Sequence, residues 1–127
     1  RRQKAAQMLY EYLDESYAEQ SNIIVLGDWN DDTKDEPGQH CFEPFFQDDR
    51  FYFTTREIAF DINQASYPKE PYVSFLDHIM ISKKLLPKES FYDVKTILMG
   101  DFMGGYDVYE EYISDHRPVL LSFSVTK

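Results

Sequence analysis

The sequence predicts an α/β fold, because one clear helical pattern is followed by several patterns typical of strands. Apolar residues recur at helical spacing from about Arg2 to Glu19, which predicts an amphipathic helix. The run Ile23 to Leu26 is too short for a helix and is flanked by turn formers, which favours a buried strand. From Val73 to Ser82 both alternating faces are mostly apolar, so we expect a strand in a sheet that is covered on both sides.

The remaining segments continue this alternation of short elements and loops. The helix is expected to bury an apolar stripe, Ala5, Met8, Leu9, Tyr12, Leu13 and Tyr17. A polar loop is predicted over Asp28 to Gly38, with a short helix around Cys41 to Phe46. Further strands are predicted in three places, Phe51 to Thr55, Phe91 to Met99 and Arg117 to Val125. Ile58 to Lys69 is irregular, and Gly100 to Glu111 is predicted to be a polar loop.

The composition indicates one folded unit over residues 1–127. With 43% hydrophobic residues the chain can bury a core. The net charge of −10 argues against tight nucleic-acid binding by this chain alone, because such binding depends on Lys and Arg. The single cysteine, Cys41, excludes an internal disulfide and a cysteine-rich metal site. No apolar run approaches the roughly 20 residues that span a bilayer.

Three polar clusters touch the predicted strands, and ligands in layered α/β folds gather at strand ends. They are Gly27-Asp28-Trp29-Asn30, Leu76-Asp77-His78 and Ser114-Asp115-His116-Arg117-Pro118. Asp28 and Asn30 are either turn formers or, if the chain stays extended, side chains aimed the same way. Asp77 is either half of a buried ion pair or the carboxylate that orients a histidine, as His116 would require.

Other polar residues favour structural roles. By strand parity His78 lies on the face opposite Asp77, and His40 sits in a loop where nothing offers it a partner. Trp29 is expected to pack rather than stack on a substrate. Asp31 and Asp32 are expected to be loop acids, with a second cation site as the alternative. Arg117 is expected in a surface ion pair, with a phosphate contact as the alternative.

Taken together, the three clusters resemble the motifs of the endonuclease/exonuclease/phosphatase superfamily, the fold of pancreatic deoxyribonuclease. Gly27-Asp28-Trp29-Asn30 is similar to its Gly-Asp-aromatic-Asn signature, and Phe75-Leu76-Asp77-His78-Ile79 to its Asp-bearing strand. Ser114-Asp115-His116-Arg117-Pro118 matches its Ser-Asp-His-x-Pro motif. The resemblance covers essentially the whole chain and implies half of a four-layer α/β/β/α sandwich, a mostly antiparallel sheet flanked by helices.

The resemblance also implies phosphoester hydrolysis with Mg²⁺ or Mn²⁺ and assigns roles. Asp28 would orient or deprotonate the attacking water, and Asn30 would position it and donate to the phosphoryl group. Asp115 would help hold the metal, and His116, oriented by Asp77, would bind or protonate a phosphate oxygen. The substrate could be a nucleic acid, an inositol phosphate, a sphingolipid head group or a small phosphodiester.

The family's first half supplies a metal-binding Glu that has no counterpart in this sequence. We therefore expect this chain to be the C-terminal part of the domain and to expose an apolar sheet face bearing Phe75, Ile79 and Ile81. That face would pair with the missing N-terminal half or drive self-association. The alternative to an enzyme is a non-catalytic fragment or assembly module that retains the fold. The sequence leaves the cellular location open.

Overall fold

The order of helices and strands agrees with the predicted α/β class. The structure is a computed structural model that describes residues 1–17, 22–85 and 91–124. Its helices and strands in these ranges are α1 (Arg2–Tyr17), β1 (Ile24–Asp28), α2 (Glu43–Phe46), β2 (Phe51–Phe53), β3 (Asp77–Ser82), β4 (Tyr92–Thr96), α3 (Tyr106–Tyr112) and β5 (Val119–Phe123). Short 3₁₀ turns occupy Ile58–Phe60, Ile62–Gln64 and Met99–Phe102. The predicted helix end at Glu19 and strand end at Val125 lie outside the described residues.

In the described part of the chain the strands form two antiparallel sheets. Strands β1, β3 and β2 make a three-stranded sheet with β3 in the centre, and β4 pairs with β5 in a second sheet. All residues of β3 after Asp77 are buried, which confirms that this strand is covered on both sides. The strand is shorter than predicted, because the amides of Leu76 and Asp77 bond a side chain, Ser66 Oγ.

The core on one side of this sheet is aromatic. Phe42 and Phe45 are 0% and 2% exposed, and their rings meet Phe53 at centroid distances of 5.1 and 6.1 Å. Aromatic pairs of this kind add to the stabilisation from buried apolar area. Met80, from the central strand, belongs to the same cluster.

Helix α1 covers this core with a stripe that shares Leu9 and Leu13 with the predicted one. Ala6 and Leu13 are buried and Leu9 and Tyr10 pack beside them, at the i, i+3, i+4, i+7 spacing of one helical face. The other predicted members are exposed instead, Ala5, Met8, Tyr12 and Tyr17. Tyr10 faces inward because its hydroxyl donates to Asp48 Oδ2 at 3.0 Å while its ring contacts Phe45.

The predicted polar loop from Gly100 to Glu111 contains a 3₁₀ turn and helix α3 instead. Helix α3 follows Gly105, whose φ of 126° is rarely adopted by residues with a side chain. A Cβ on Gly100 would lie 2.9 Å from the Tyr106 backbone nitrogen, so the segment closes tightly on itself. Tyr109 is 2% exposed and fixes the helix to the rest of the fold.

The predicted exposed sheet face is wrong in its residues. Phe75, Ile79 and Ile81 are 0%, 6% and 1% exposed, and β3 contacts β5 of the second sheet. Exposed apolar residues lie instead on β1, where Ile24 is 45% and Leu26 68% exposed, and on β5, where Leu120 is 45% exposed. Among the described residues, β1 is an edge strand that pairs only with β3.

Within the described ranges, no helix has both the length and the apolar character needed to cross a membrane.

Candidate functional site

Two aspartates face each other where β1 ends and β3 begins. The register of the two strands pairs Asp28 directly with Asp77. Like charges at opposed positions of an antiparallel pair are destabilising, so packing gives no reason for this arrangement. A third group nearby is therefore expected to compensate the charge.

His116 provides that compensation. Its Nδ1 lies 2.7 Å from Asp77 Oδ2, and ligand atoms of Asp28, Asp77 and His116 all lie within 4.8 Å of one another. The side chains of His116 and Asp77 are about a quarter exposed, so the pair is accessible from solvent. The pairing of Asp77 with His116 that the sequence predicts is confirmed. Because the carboxylate accepts from Nδ1, it fixes the tautomer of the neutral ring.

The surroundings of His116 favour the protonated ring. Partial burial lowers the pKa of His116, but the hydrogen bond to Asp77 and the charges of Asp77, Asp28 and Asp115 together raise it above the ordinary value of 6.5. An imidazole of this kind can donate a proton or a charge-assisted hydrogen bond near neutral pH.

Tyrosines of α3 hold the loop that carries His116. The Tyr109 hydroxyl donates to the His116 carbonyl at 2.8 Å, and the Tyr106 hydroxyl donates to the Asp115 carbonyl at 2.7 Å. The His116 amide donates to Ser114 Oγ at 3.0 Å. The Tyr67 ring lies beside the imidazole, with centroids 5.2 Å apart. These contacts restrict the position of the ring.

Asn30 lies next to Asp28, but not in the extended geometry that would aim both side chains alike. Its φ is 56°, in the left-handed region that asparagine tolerates better than most residues. Its amide donates to Asp28 Oδ1 at 2.8 Å. The turn alternative therefore describes the backbone here, and the exposed Asn30 side chain leaves the strand direction.

Asp115 is exposed and lies outside the three-residue group. Its charge still acts on His116, where it contributes to the raised pKa of the imidazole. The structure thus brings Asp28, Asp77 and His116 together and leaves Asp115 at the margin.

The buried polar residues of the first loop have protein partners. Asp31 Oδ1 forms an ion pair with Arg2 Nη2 at 2.7 Å, and Asp32 Oδ2 accepts from the Phe75 amide at 2.9 Å. Both carboxylates are buried and tie the loop to its neighbours, which argues against a second cation site. His40, for which no partner was expected, is 3% exposed and accepts from the Phe42 amide through Nδ1.

The other structural expectations have mixed outcomes. Trp29 packs against Phe42 and Phe53, at centroid distances of 5.5 and 5.3 Å, which confirms its packing role. His78 is fully buried, as its strand face requires. Arg117 is not in the predicted ion pair within the described residues, because its guanidinium lies 5.3 Å over the Tyr106 ring.

The donor set suits a hard divalent ion. Mg²⁺ and Mn²⁺ prefer carboxylate oxygens and are often held by one or two carboxylates, water and substrate phosphate. Asp28 Oδ1 accepts from the Asn30 amide and Asp77 Oδ2 from His116, so each carboxylate keeps a second oxygen. With Asp115 on the adjoining loop, these oxygens fit such an ion.

Sequence reasoning missed three residues that shape this site, Tyr106, Tyr109 and Ser66. The two tyrosines lie in the segment predicted to be a loop, and Ser66 in the segment called irregular. A helical spacing of Tyr106, Tyr109 and Ile113 was the available signal for the tyrosines. Ser66 has no local signal, because its partners are distant in sequence.

Comparison of the chain with protein-family models, with curated proteins and with solved structures found no match.

Proposed function

We propose that the protein is a metal-dependent phosphoester hydrolase, or the catalytic C-terminal half of one. The observation that carries the proposal is the opposition of Asp28 and Asp77 across two strands with His116 bonded to Asp77. An acid, a base and a carboxylate-rich edge within 4.8 Å are the groups that hydrolysis of a phosphoester needs.

In the proposed reaction, water attacks the phosphorus atom and the bond to the leaving oxygen breaks. Asp28 orients the water and accepts its proton. His116 donates a hydrogen bond or a proton to a phosphate oxygen as negative charge builds there. Asp77 keeps His116 in the required tautomer and stabilises its charged form.

Mg²⁺ or Mn²⁺ would be held by carboxylate oxygens of Asp28 and Asp77, with Asp115 on the adjoining loop and with water and substrate phosphate completing its shell. When bound, the ion supplies positive charge that polarises the phosphoryl group.

The acidic chain favours small substrates over long nucleic acids. A net charge of −10 repels a polyphosphate backbone, whereas one phosphodiester at the site meets His116 and the ion. We therefore place small phosphodiesters and phosphorylated head groups ahead of nucleic acid as the substrate class.

The proposal is tested by hydrolysis of bis(p-nitrophenyl) phosphate with Mg²⁺, Mn²⁺ or EDTA. Asp28→Ala and His116→Ala are each expected to lower turnover by roughly 10²- to 10⁴-fold. Asp93→Ala, which removes an exposed carboxylate on β4, is the matched control and should retain activity. Activity that survives EDTA or both site substitutions would overturn the proposal.

A second candidate function, an assembly module without activity of its own, is favoured by one observation. The edge strand β1 exposes Ile24 and Leu26, and exposed strand edges recruit a further strand. Sedimentation of the chain and of a Leu26→Lys variant tests this role. An unmodified chain that has no hydrolase activity and associates, while Leu26→Lys is a monomer, would favour the assembly module. If the unmodified chain and the variant are both monomers, self-association through β1 is excluded.

A further inference from the structure

One buried residue, Ser66, bonds the strand end that carries Asp77. Its side chain is fully buried. Ser66 Oγ accepts from the Leu76 amide at 2.9 Å and from the Asp77 amide at 3.1 Å. The Leu76 amide precedes β3 and the Asp77 amide belongs to its first residue, so the hydroxyl oxygen satisfies two backbone donors at the start of the strand.

The same residue also bonds the loop that carries His116. The Ser66 carbonyl accepts from the Arg117 amide at 2.7 Å, directly after His116 in the chain. Ser66 therefore contacts, through its two oxygens, the backbone on both sides of the Asp77–His116 pair. The two segments it joins are separated by about 40 residues, since the pair itself spans 39 positions.

The adjoining residues strengthen this connection. The Ala65 carbonyl accepts from Arg117 Nη1 at 3.4 Å, and Gln64 Oε1 accepts from the Thr96 amide on β4 at 2.8 Å. The segment from Gln64 to Ser66 thus ties the start of β3 to β4 and to the His116 loop. It lies outside the three motif clusters.

We propose that Ser66 is a positioning residue that holds Asp77 and His116 at bonding distance. A hydrogen bond as short as 2.7 Å tolerates little displacement, and its two partners come from segments 39 positions apart in the chain. Alanine at this position has no acceptor, and cysteine offers only a weak one. A larger amide or carboxylate would overpack a fully buried position. The serine hydroxyl supplies a small acceptor for the two amides.

The proposal depends on the proposed function only for its effect on hydrolysis, so its main test uses the resting protein. Histidine ring ¹⁵N spectra report the tautomer of His116 at alkaline pH, where the neutral ring is observed. In the unmodified chain we expect the Nδ1–H tautomer, bonded to Asp77. In Ser66→Ala we expect loss of this signature and averaging of the two tautomers.

The matched control is Thr54→Val. Thr54 is 1% exposed and its hydroxyl donates to the Ile79 carbonyl at 3.0 Å, so the variant loses a buried hydroxyl without touching Asp77 or Arg117. It should keep the Nδ1–H signature even if it is as destabilised as Ser66→Ala. A Ser66→Ala spectrum that is identical to the unmodified one would overturn the proposal, as would loss of the signature in both variants.

If Ser66→Ala does not fold, amide hydrogen exchange in the unmodified protein decides. The amides of Leu76, Asp77 and Arg117 should then be protected together, because one residue accepts from all three. Exchange of any of them at the rate of an open loop amide would overturn the proposal.

Turnover adds a separate readout. Ser66→Ala is expected to lower kcat by roughly 10- to 100-fold with little change in KM, because a misplaced catalytic pair affects the chemical step. If the unmodified chain hydrolyses nothing but the tautomer signature behaves as expected, the hydrolase proposal fails and the role of Ser66 stands.

Discussion

His78, near the start of β3, and His116, on the loop beside it, occupy opposite environments. His78 is fully buried; its Nδ1 lies 2.9 Å from Thr55 Oγ1 and its Nε2 lies 3.1 Å from the Asp31 carbonyl. His116 is partly exposed and meets carboxylates instead. Asp77 and His78 are consecutive residues, so one step along the strand separates the open, charged side from the sealed one.

The comparison shows how a structural histidine differs from a functional candidate. Both ring nitrogens of His78 have neutral partners, and burial lowers the pKa of His78, which favours the uncharged ring. Around His116 the surplus of negative charge raises the pKa of the ring. A sealed and satisfied histidine stabilises the fold, whereas one held beside opposed carboxylates keeps charge available for chemistry.

The largest expected effect comes from a substitution on the solvent-accessible side, at Asp77. Asp77→Asn should lower kcat/KM for bis(p-nitrophenyl) phosphate by roughly 10²- to 10⁴-fold, because the amide no longer fixes the tautomer or stabilises the charged ring of His116. Steady-state kinetics with Mg²⁺ measure this, with Asp93→Asn as the control. A loss below threefold would show that Asp77 serves the fold alone.

A substitution on the buried side, next to His78, should change the stability of the protein rather than its activity. Thr55→Val removes the partner of His78 Nδ1 and should lower the free energy of unfolding by about 1–3 kcal/mol, with activity per folded molecule unchanged. Urea denaturation measures the change. Thr33→Val is the matched control, because the buried Thr33 hydroxyl has no hydrogen-bond partner in the described part of the chain and its loss should cost little. Equal destabilisation by the two substitutions would contradict the prediction.

The two histidines should also titrate on opposite sides of pH 6.5. NMR titration should place the midpoint of His116 above this value and that of His78 below it. His116 therefore adds stability that is present below its unfolded pKa and lost as the pH rises through its folded pKa. His78 has the opposite effect on stability, because its folded pKa is lowered. As the pH falls below about 6.5 the unfolded chain binds a proton at His78 before the folded protein does, and the protein loses stability. Asp77→Asn should lower the midpoint of His116 and leave that of His78 in place.

The smallest expected effect concerns the opposed aspartates. Asp28→Asn should raise the free energy of unfolding by roughly 0.2–1 kcal/mol, because it removes one of two like charges directly across β1 and β3. The amide oxygen can still accept from the Asn30 amide, so the turn persists. Denaturation at low salt and at about 1 M salt measures the effect, which should shrink under screening. A net loss of stability would refute the repulsion.

Much of the fold could be predicted because burial leaves local patterns. The two apolar faces of β3 are visible in its sequence, and Asp77 marks the partly exposed end of the strand. Sequence patterns failed where tyrosines, which have both apolar and polar parts, determine which face of a helix is buried. Tyr10 faces inward and Tyr12 outward, because the Tyr10 hydroxyl finds Asp48 and its ring packs against Phe45. Helix α3 was missed because its tyrosines and Val108 favour helices weakly, and the burial of Tyr109 outweighs that preference.

The candidate site divides in the same way. Asp28, Asp77 and His116 could be named from their motifs, since each lies beside a recognisable strand. Their distances could not, because strand register is a relation between segments about 50 residues apart and a shift by one residue would turn Asp77 to the other face. The same limit hid Ser66, whose partners lie on two distant segments.

The sequence by itself determined the α/β class, the central buried strand and the three acidic or histidine-bearing clusters, because apolar periodicity and turn chemistry are local properties. Tertiary structure alone decided that Asp28 faces Asp77, and that His116 joins them while Asp115 stays at the margin. It also decided that the apolar residues of β3 are buried while Ile24 and Leu26 on β1 are exposed. These outcomes depend on how distant segments pack, and the free energy of that packing is shared among residues that no local pattern connects.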